Sequence, residues 1–595
     1  MITAPAGTPS HLIAPVRTSS HPLWLLLLAT IALRFAEPVP DSDLFWHMAY
    51  ARQMLASGTL VPDHTAYSWT PTDGGMIYCA WLSELFFHAL WERVGPWSVF
   101  AFRYLAIGVM LALAFDIARR AGAARWALTP AVLLVMALAS SSGALLKPEL
   151  FSLMGLHVCL WTWAAAKIAR SQGREPAAIF YVIPLVLVVW VNAHGGFVLA
   201  APLLAAIAAG ESINTWRGGA AAFSRRSLAH LLAACALSVV AIQLTPYGPA
   251  YPWQIVHELV LGGRARPDAS WNAAHVSIFD RRTLGLHLHE YIVMLMALLV
   301  VLARAVRRVR PGEGVDWAMV LVHVAAIGWF VGQLRSTYVW PAAIAYSVWV
   351  LVARGNHEAS ATTSVTVAER TTPQPDPGTL QPGHEHGDER GLAWWPAAAA
   401  VRGIALGLAL FVAGRAVYEA RFDPVENMWM GFGIGDQNPV AEAEFLAAAR
   451  LGPRLYNVFD SGGYLLWRLH PHYQVMTDAR SFPYLSWFDD QRRFTAGEMF
   501  DEFLRRYPGD TAIIDLRKPE LVKRFLAAPD WRLVYYGPVA AVFVTPDTPV
   551  ADEARAVAPD RFRRIRNPQT ARRVRDFARL VGDEGVAREV EQGVR

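Results

Sequence analysis

The chain has 595 residues, 54% of them hydrophobic and only 17% charged, with 23 tryptophans and a net charge of +5. Its mean hydropathy is +0.26, and a charged fraction so far below the roughly 25% of soluble domains excludes an ordinary soluble protein and marks a polytopic membrane protein. The positive balance would suit nucleic acid, but the arginines fall in short clusters between apolar runs, the pattern that membrane topology produces, so nucleic acid is excluded as a partner.

Apolar runs able to cross, or nearly cross, a hydrocarbon core of ~30 Å recur near residues 22–40, 97–116, 126–145, 149–166, 178–193, 195–211, 229–246, 287–303, 315–333, 337–353 and 394–416. They predict about eleven spans. The first run is read as a retained signal anchor, because Arg34-Phe-Ala-Glu-Pro-Val-Pro follows it in place of a small-residue cleavage site. Placing the N-terminus in the cytoplasm puts the basic connectors Arg119 to Arg125, Lys167 to Arg174, Arg217 to Arg226 and Arg304 to Arg310 all on the cytoplasmic side. The loops 41–96 and 247–286, and everything after residue 417, then fall outside, with Arg264, Arg266, Arg281 and Arg282 in the second loop. Cys79, Cys159 and Cys235 give neither a disulfide framework nor a zinc spacing.

Residues 354–393 are rich in Thr, Pro and Glu and read as a disordered cytoplasmic linker between a membrane core, 1–353, and a last span, 394–416. From 417 to 595 the pattern becomes that of a soluble α/β domain outside the cytoplasm. Strands are expected at Leu455–Phe459, Tyr473–Met476, Thr511–Ile514, Leu533–Tyr536 and Ala540–Val544, helices at Pro439–Arg450 and Phe500–Tyr507, and a charged helical tail from Arg561.

Chemistry concentrates in Asp41-Ser-Asp-Leu-Phe-Trp-His47, at the start of the first outer loop. Ionisable groups at a membrane edge are costly enough to be functional candidates. A helix after Pro40 would put Asp43 and His47 on one face, with Asp41 at its start. The topology brings Lys147-Pro-Glu149, Asn192-Ala-His-Gly-Gly196, Gln243 to Gly248 and Gln333 to Tyr338 to that same outer side. Each could merely end or cap a helix, but independent caps would scatter over both sides. A polar chamber at the outer membrane surface accounts for the coincidence. In it, Asp43 or Asp41 could serve as general base, and Lys147, His194 and Arg335 could neutralise a phosphate. A divalent cation is the one cofactor the stretch could hold, on Asp41, Asp43 and His47.

An apolar first span, Asp-x-Asp in the first outer loop, Trp46-His47 and Ala80-Trp-Leu-Ser-Glu84 together resemble the polytopic GT-C glycosyltransferases, the class of protein mannosyltransferases, the lipid A aminoarabinose transferase and the oligosaccharyltransferase catalytic subunit. The chain is more similar still to a bacterial group marked by Asp-x-Asp-x-x-Trp-His, Trp-x-Asn-x-His-Gly, Pro-Tyr-Gly and Gly-Gly-Tyr-Leu-x-Trp followed by Asp-x-Arg. Here these are Asp41 to His47, Trp190 to Gly195, Pro246 to Gly248, Gly462 to Trp467 and Asp478 to Arg480. The resemblance implies a sugar donor on a polyprenyl phosphate, membrane lipid as surroundings, and a glycan, lipid or protein acceptor. It assigns the base to Asp43 or Asp41. Trp46, His47, Glu84, Lys147, Asn192, His194, Tyr247 and Arg335 are the candidate substrate contacts, while Tyr464, Trp467, Asp478 and Arg480 read equally as acceptor contacts or as a fold-supporting motif in which Asp460 to Gly463 is a strand-to-helix turn and Asp478 pairs with Arg480. Lys147-Pro stands where the class leads one to expect Arg-Pro, which removes bidentate phosphate geometry. Localisation in a bacterial inner membrane follows. A transporter or flippase, and a membrane-anchored binding protein acting through its C-terminal part, are the alternatives.

Overall fold

The computed structural model describes residues 21–39, 42–72, 77–122, 146–218, 222–259, 315–332, 338–351, 353, 431–480, 482–563, 565 and 567–593, with isolated positions between 407 and 417. The expected spans 126–145 and 287–303, the linker, and most of 394–416 lie outside the described residues, as do Asp41 and Arg335.

The N-terminal part is helical: α1 (His21–Arg34), α2 (Asp43–Ser57), α3 (Trp81–Ala89, continued by a wide turn Leu90–Val94), α4 (Trp97–Arg120), α5 (Glu149–Ser171), α6 (Val182–Ala193), α7 (Ala200–Arg217), α8 (Arg225–Ala241), α9 (Ala250–Leu259) and α10 (Trp317–Gly332), then α11 (Val339–Leu351). Among the described residues three stretches are long and apolar enough to cross a bilayer: Trp97–Arg120, Glu149–Ser171 and Gly195–Arg217. Leu25–Arg34, Ala178–Ala193, Trp317–Gly332 and Val339–Leu351 are shorter apolar helices. The paired runs 178–211 are two helices broken at one extended residue, His194 (φ −165°, ψ 141°), which caps the turn Gly195–Leu199.

Residues 431–593 build a five-stranded sheet from β1 (Arg454–Asn457), β2 (Gln474–Val475), β3 (Thr511–Asp515), β4 (Arg532–Tyr536) and β5 (Ala540–Val544), in the order β2-β1-β3-β5-β4. β2, β1 and β3 run parallel, while β5 pairs antiparallel with both β3 and β4. Side chains alternate across the sheet as the two-residue period requires. Leu455, Ile513, Val542 and Val544 face one apolar cluster, and Tyr456, Ala512, Ile514 and Phe543 face the other. The first cluster also takes in Leu44, Phe45, Trp46 and Met48 of α2 and Phe87 of α3, so the sheet is seated on the loop that carries Asp43.

Hydrogen bonds fix that seat. Val39 N–H donates to Gly433 O at 2.8 Å and Gly435 N–H to Val39 O at 2.8 Å. Thr70 donates to Met476 O at 2.6 Å, the Trp69 indole to Leu455 O at 3.1 Å, and the Trp487 indole to Pro71 O at 2.8 Å. Gly462 and Gly463, which the sequence allows as a strand-to-helix turn, lie inside α13 (Phe459–Leu469), after α12 (Val440–Ala449). Their role is close approach: a Cβ on Gly463 would stand 2.4 Å from Ser42 O, and one on Gly462 2.1 Å from Thr477 O.

Candidate functional site

α2 starts at Asp43, directly after Ser42, so the Asp43 carboxylate sits where the free N–H groups and the helix dipole favour negative charge. Its Oδ1 accepts from the Trp46 indole at 3.2 Å, one turn along. Its Oδ2 lies 3.4 Å from Lys147 Nζ, at the start of α5. Lys147 also reaches Glu149 Oε2 at 3.6 Å. The Asp43 side chain retains 27% exposure and Lys147 13%, so both are open to a ligand.

Behind this pair the side chains are buried. His47, on the same face of α2, stacks on Trp46 with ring centroids 3.4 Å apart. Its Nδ1 bonds Glu84 Oε1 of α3 at 3.0 Å, and both side chains are nearly inaccessible. Burial holds the Glu84 carboxyl well above the usual carboxylate range. Burial, and then the nearby His194 and Lys147, hold His47 below an ordinary imidazole. Both causes favour a neutral pair in which Glu84 keeps its proton and donates it to Nδ1.

The motif after α6 joins from the other side. Asn192 accepts from the Trp81 indole at 2.6 Å and donates to Val188 O and Leu244 O at 2.8 and 2.7 Å. His194 Nδ1 lies 2.7 Å from Ser152 Oγ of α5, and the charges of Lys147 and Asp43 reach its ring. Tyr247 packs at the edge of the bundle core, near Glu84 and Cys79. Asp43, Trp46, His47, Glu84, Lys147, Asn192, His194 and Tyr247 therefore gather at one end of the bundle, under the sheet. Ser152 and Trp190 belong to this group as well, and the sequence offers no sign of Ser152 beyond its being a hydroxyl in an apolar run.

Of the four C-terminal residues, Tyr464, Asp478 and Arg480 are buried and Trp467 is half-buried. Asp478 and Arg480 are buried against one another, with Arg480 Nε 2.5 Å from Asp478 Oδ1. Arg480 also donates to His64 O at 2.7 Å and lies over the Tyr50 ring at 5.1 Å, which braces the sheet against α2. Tyr464 and Trp467 pack around Phe45, with centroids at 5.0 and 5.1 Å. Trp467 also carries Arg52 over its ring at 5.8 Å.

No family model matches the sequence, and no curated protein does. Solved structures of two GT-C glycosyltransferases are similar to it. ArnT from Cupriavidus metallidurans, bound to undecaprenyl phosphate, is 15% identical over 88% of this chain and 98% of its own, with a TM-score of 0.48. The oligosaccharyltransferase of Archaeoglobus fulgidus in the apo form is 10% identical over 90% of this chain and 77% of its own, also at 0.48.

Among the described residues no three His, Cys, Asp or Glu side chains converge as metal ligands. The Lys147 ammonium already supplies the counter-charge to Asp43, and His47 Nδ1 is taken by Glu84. Asp43 and His47 are thus committed to other partners, and Asp41, the third donor of the expected set, lies outside the described residues.

Proposed function

We propose that the protein is a membrane glycosyltransferase that moves a sugar from a polyprenyl-phosphate lipid to an acceptor outside the cytoplasm. The observation that carries this reading is the Asp43–Lys147 pair. An accessible carboxylate at a helix start lies 3.4 Å from an ammonium, and the wall behind them is buried and neutral. Asp43 is the base, with Asp41 the second choice. The acceptor hydroxyl gives its proton to Asp43 while its oxygen bonds the anomeric carbon. The bond from that carbon to the phosphate oxygen breaks, and the lipid phosphate leaves with the electron pair. Lys147 takes up the charge that develops there. The donor class comes from the sequence resemblance, and a lipid-borne donor suits a site at the end of a helix bundle.

In this reading residues 1–353 are the membrane core and 394–416 the last span, with 417–595 outside the cytoplasm on the same side as Asp43. The sheet's direct seating on α2 and α3 supports that sidedness. The test is donor consumption, followed by mass spectrometry, by the protein purified with its lipids and given a panel of polyprenyl-phosphate sugars. Loss of one donor, reduced in Lys147→Met, supports the transferase. Binding without turnover, equal in wild type and variant, points to a transporter or flippase.

A further inference from the structure

A short hydrogen-bond chain links the buried face of α6 to His194. The Trp190 indole N–H, which can only donate, meets Ser152 Oγ at 2.7 Å. His194 Nδ1 lies 2.7 Å from the same oxygen. The Gly196 backbone N–H, also a pure donor, points at that Nδ1 from 3.1 Å. A ring nitrogen that receives a backbone N–H carries no proton of its own. The single Ser152 proton therefore goes to Nδ1, and the imidazole proton sits on Nε2.

Two glycines make room for this arrangement. A Cβ on Gly196 would lie 2.3 Å from Ser152 Oγ and 2.8 Å from His194 Nδ1, and one on Gly155 would lie 2.4 Å from the Trp190 ring. The glycine that follows His194-Gly195 is thus explained by its approach to the serine.

We propose that Ser152, oriented by Trp190, is a positioning residue that keeps His194 neutral with its proton on Nε2, so that His194 serves the site as a hydrogen-bond donor to an anionic oxygen and not as its base. The donor role rests on the transferase reading, whereas the tautomer does not. The charged and titratable groups around the ring are Lys147 at the start of α5 and Asp43 and His47 on α2, with Glu149 beside Lys147 and Glu84 beside His47. A neutral imidazole avoids placing a second cation beside Lys147, and an Nε2–H donor complements that ammonium on a phosphate oxygen.

The test uses the full chain in lipid nanodiscs with ring-¹⁵N histidine, the His194 signals being assigned by their loss in His194→Gln. In wild type at neutral pH, Nδ1 is expected unprotonated and Nε2 protonated. In Ser152→Ala the Nδ1 resonance should move and His194 should take up a second proton at higher pH than in wild type, while the other histidines stay unchanged. The kcat/KM for donor should fall about tenfold, the worth of one good hydrogen bond. A proton on Nδ1 or a doubly protonated ring in wild type, which needs no variant to observe, overturns the proposal. So does a Ser152→Ala spectrum identical to wild type. The expected tautomer in a protein that turns over no polyprenyl-phosphate sugar would keep the relay and overturn the transferase.

Discussion

Glu84 and His47 lie behind the proposed base Asp43 yet are closed to solvent, and that decides what they do. A carboxyl raised by burial and an imidazole lowered by it share one proton as a neutral pair. Their work is to hold α3 against α2 and so to aim Asp43. Glu84→Gln keeps a donor to Nδ1 and is expected to leave thermal stability nearly unchanged. Glu84→Ala strands Nδ1 without a partner and should cost about 1–3 kcal/mol in a denaturation measurement. The sequence shows Asp43, His47 and Lys147 as candidates, because ionisable groups at the end of an apolar run are legible by their cost. It does not show that His47 turns to Glu84, since their separation of 37 positions in the chain is closed only by packing. Ser152 was illegible for a similar reason: its partners, Trp190 and His194, lie on the far side of a helical connection.

Between elements, glycine and one buried acid set the fit. Gly463→Ala would push a methyl into Ser42 O, at the start of α2. It should lower stability by about 1–3 kcal/mol and reduce donor turnover together, measured as a melting temperature and a rate on the same preparation. Glu442 of α12 reaches the turn between β4 and β5, accepting from the Val539 and Ala540 N–H groups at 2.8 Å each. Burial raises its carboxyl to about 7, from the ordinary 4.5. The folded state thus holds a proton that the unfolded chain releases above its own lower value. Stability is expected to fall as pH rises from about 4.5 to 7, by at most about 3 kcal/mol. Glu442→Gln should flatten that slope in a melting series over pH. Each strand read from the sequence overlaps an observed one, because short β-branched and aromatic runs bounded by turns carry their own signal. The close approaches of the two glycines carry no such local signal: that of Gly463 is set by Ser42, more than 400 residues earlier in the chain, and that of Gly462 by the backbone at Thr477 and Asp478.

The described residues hold two polar clusters, one near each end of α5. One holds Asp43, Lys147 and His194 beneath the sheet. At the other, Lys167 of α5 bonds Glu211 Oε1 of α7 at 2.9 Å and Asp316 Oδ2, just before α10, at 3.0 Å, with the Lys167 and Glu211 side chains fully buried. Removing Lys167 takes away the cation that both acids bond. Lys167→Met is expected to cost about 3–5 kcal/mol of stability while leaving the KM for donor unchanged, since the cluster touches nothing at the other end. The composition made the membrane class plain and the motifs drew the outer residues together. The pairing of Lys167 with Glu211 and Asp316 was hidden, because the sequence presents Lys167 as one more basic residue of a connector. The central claim is that Asp43 accepts the acceptor's proton. It is tested most directly by donor turnover in Asp43→Asn, purified and folded as wild type and given the donor that wild type consumes. A fall in kcat of about 10²-fold or more, with donor binding retained, is the expected result, and wild-type turnover in the variant would contradict it.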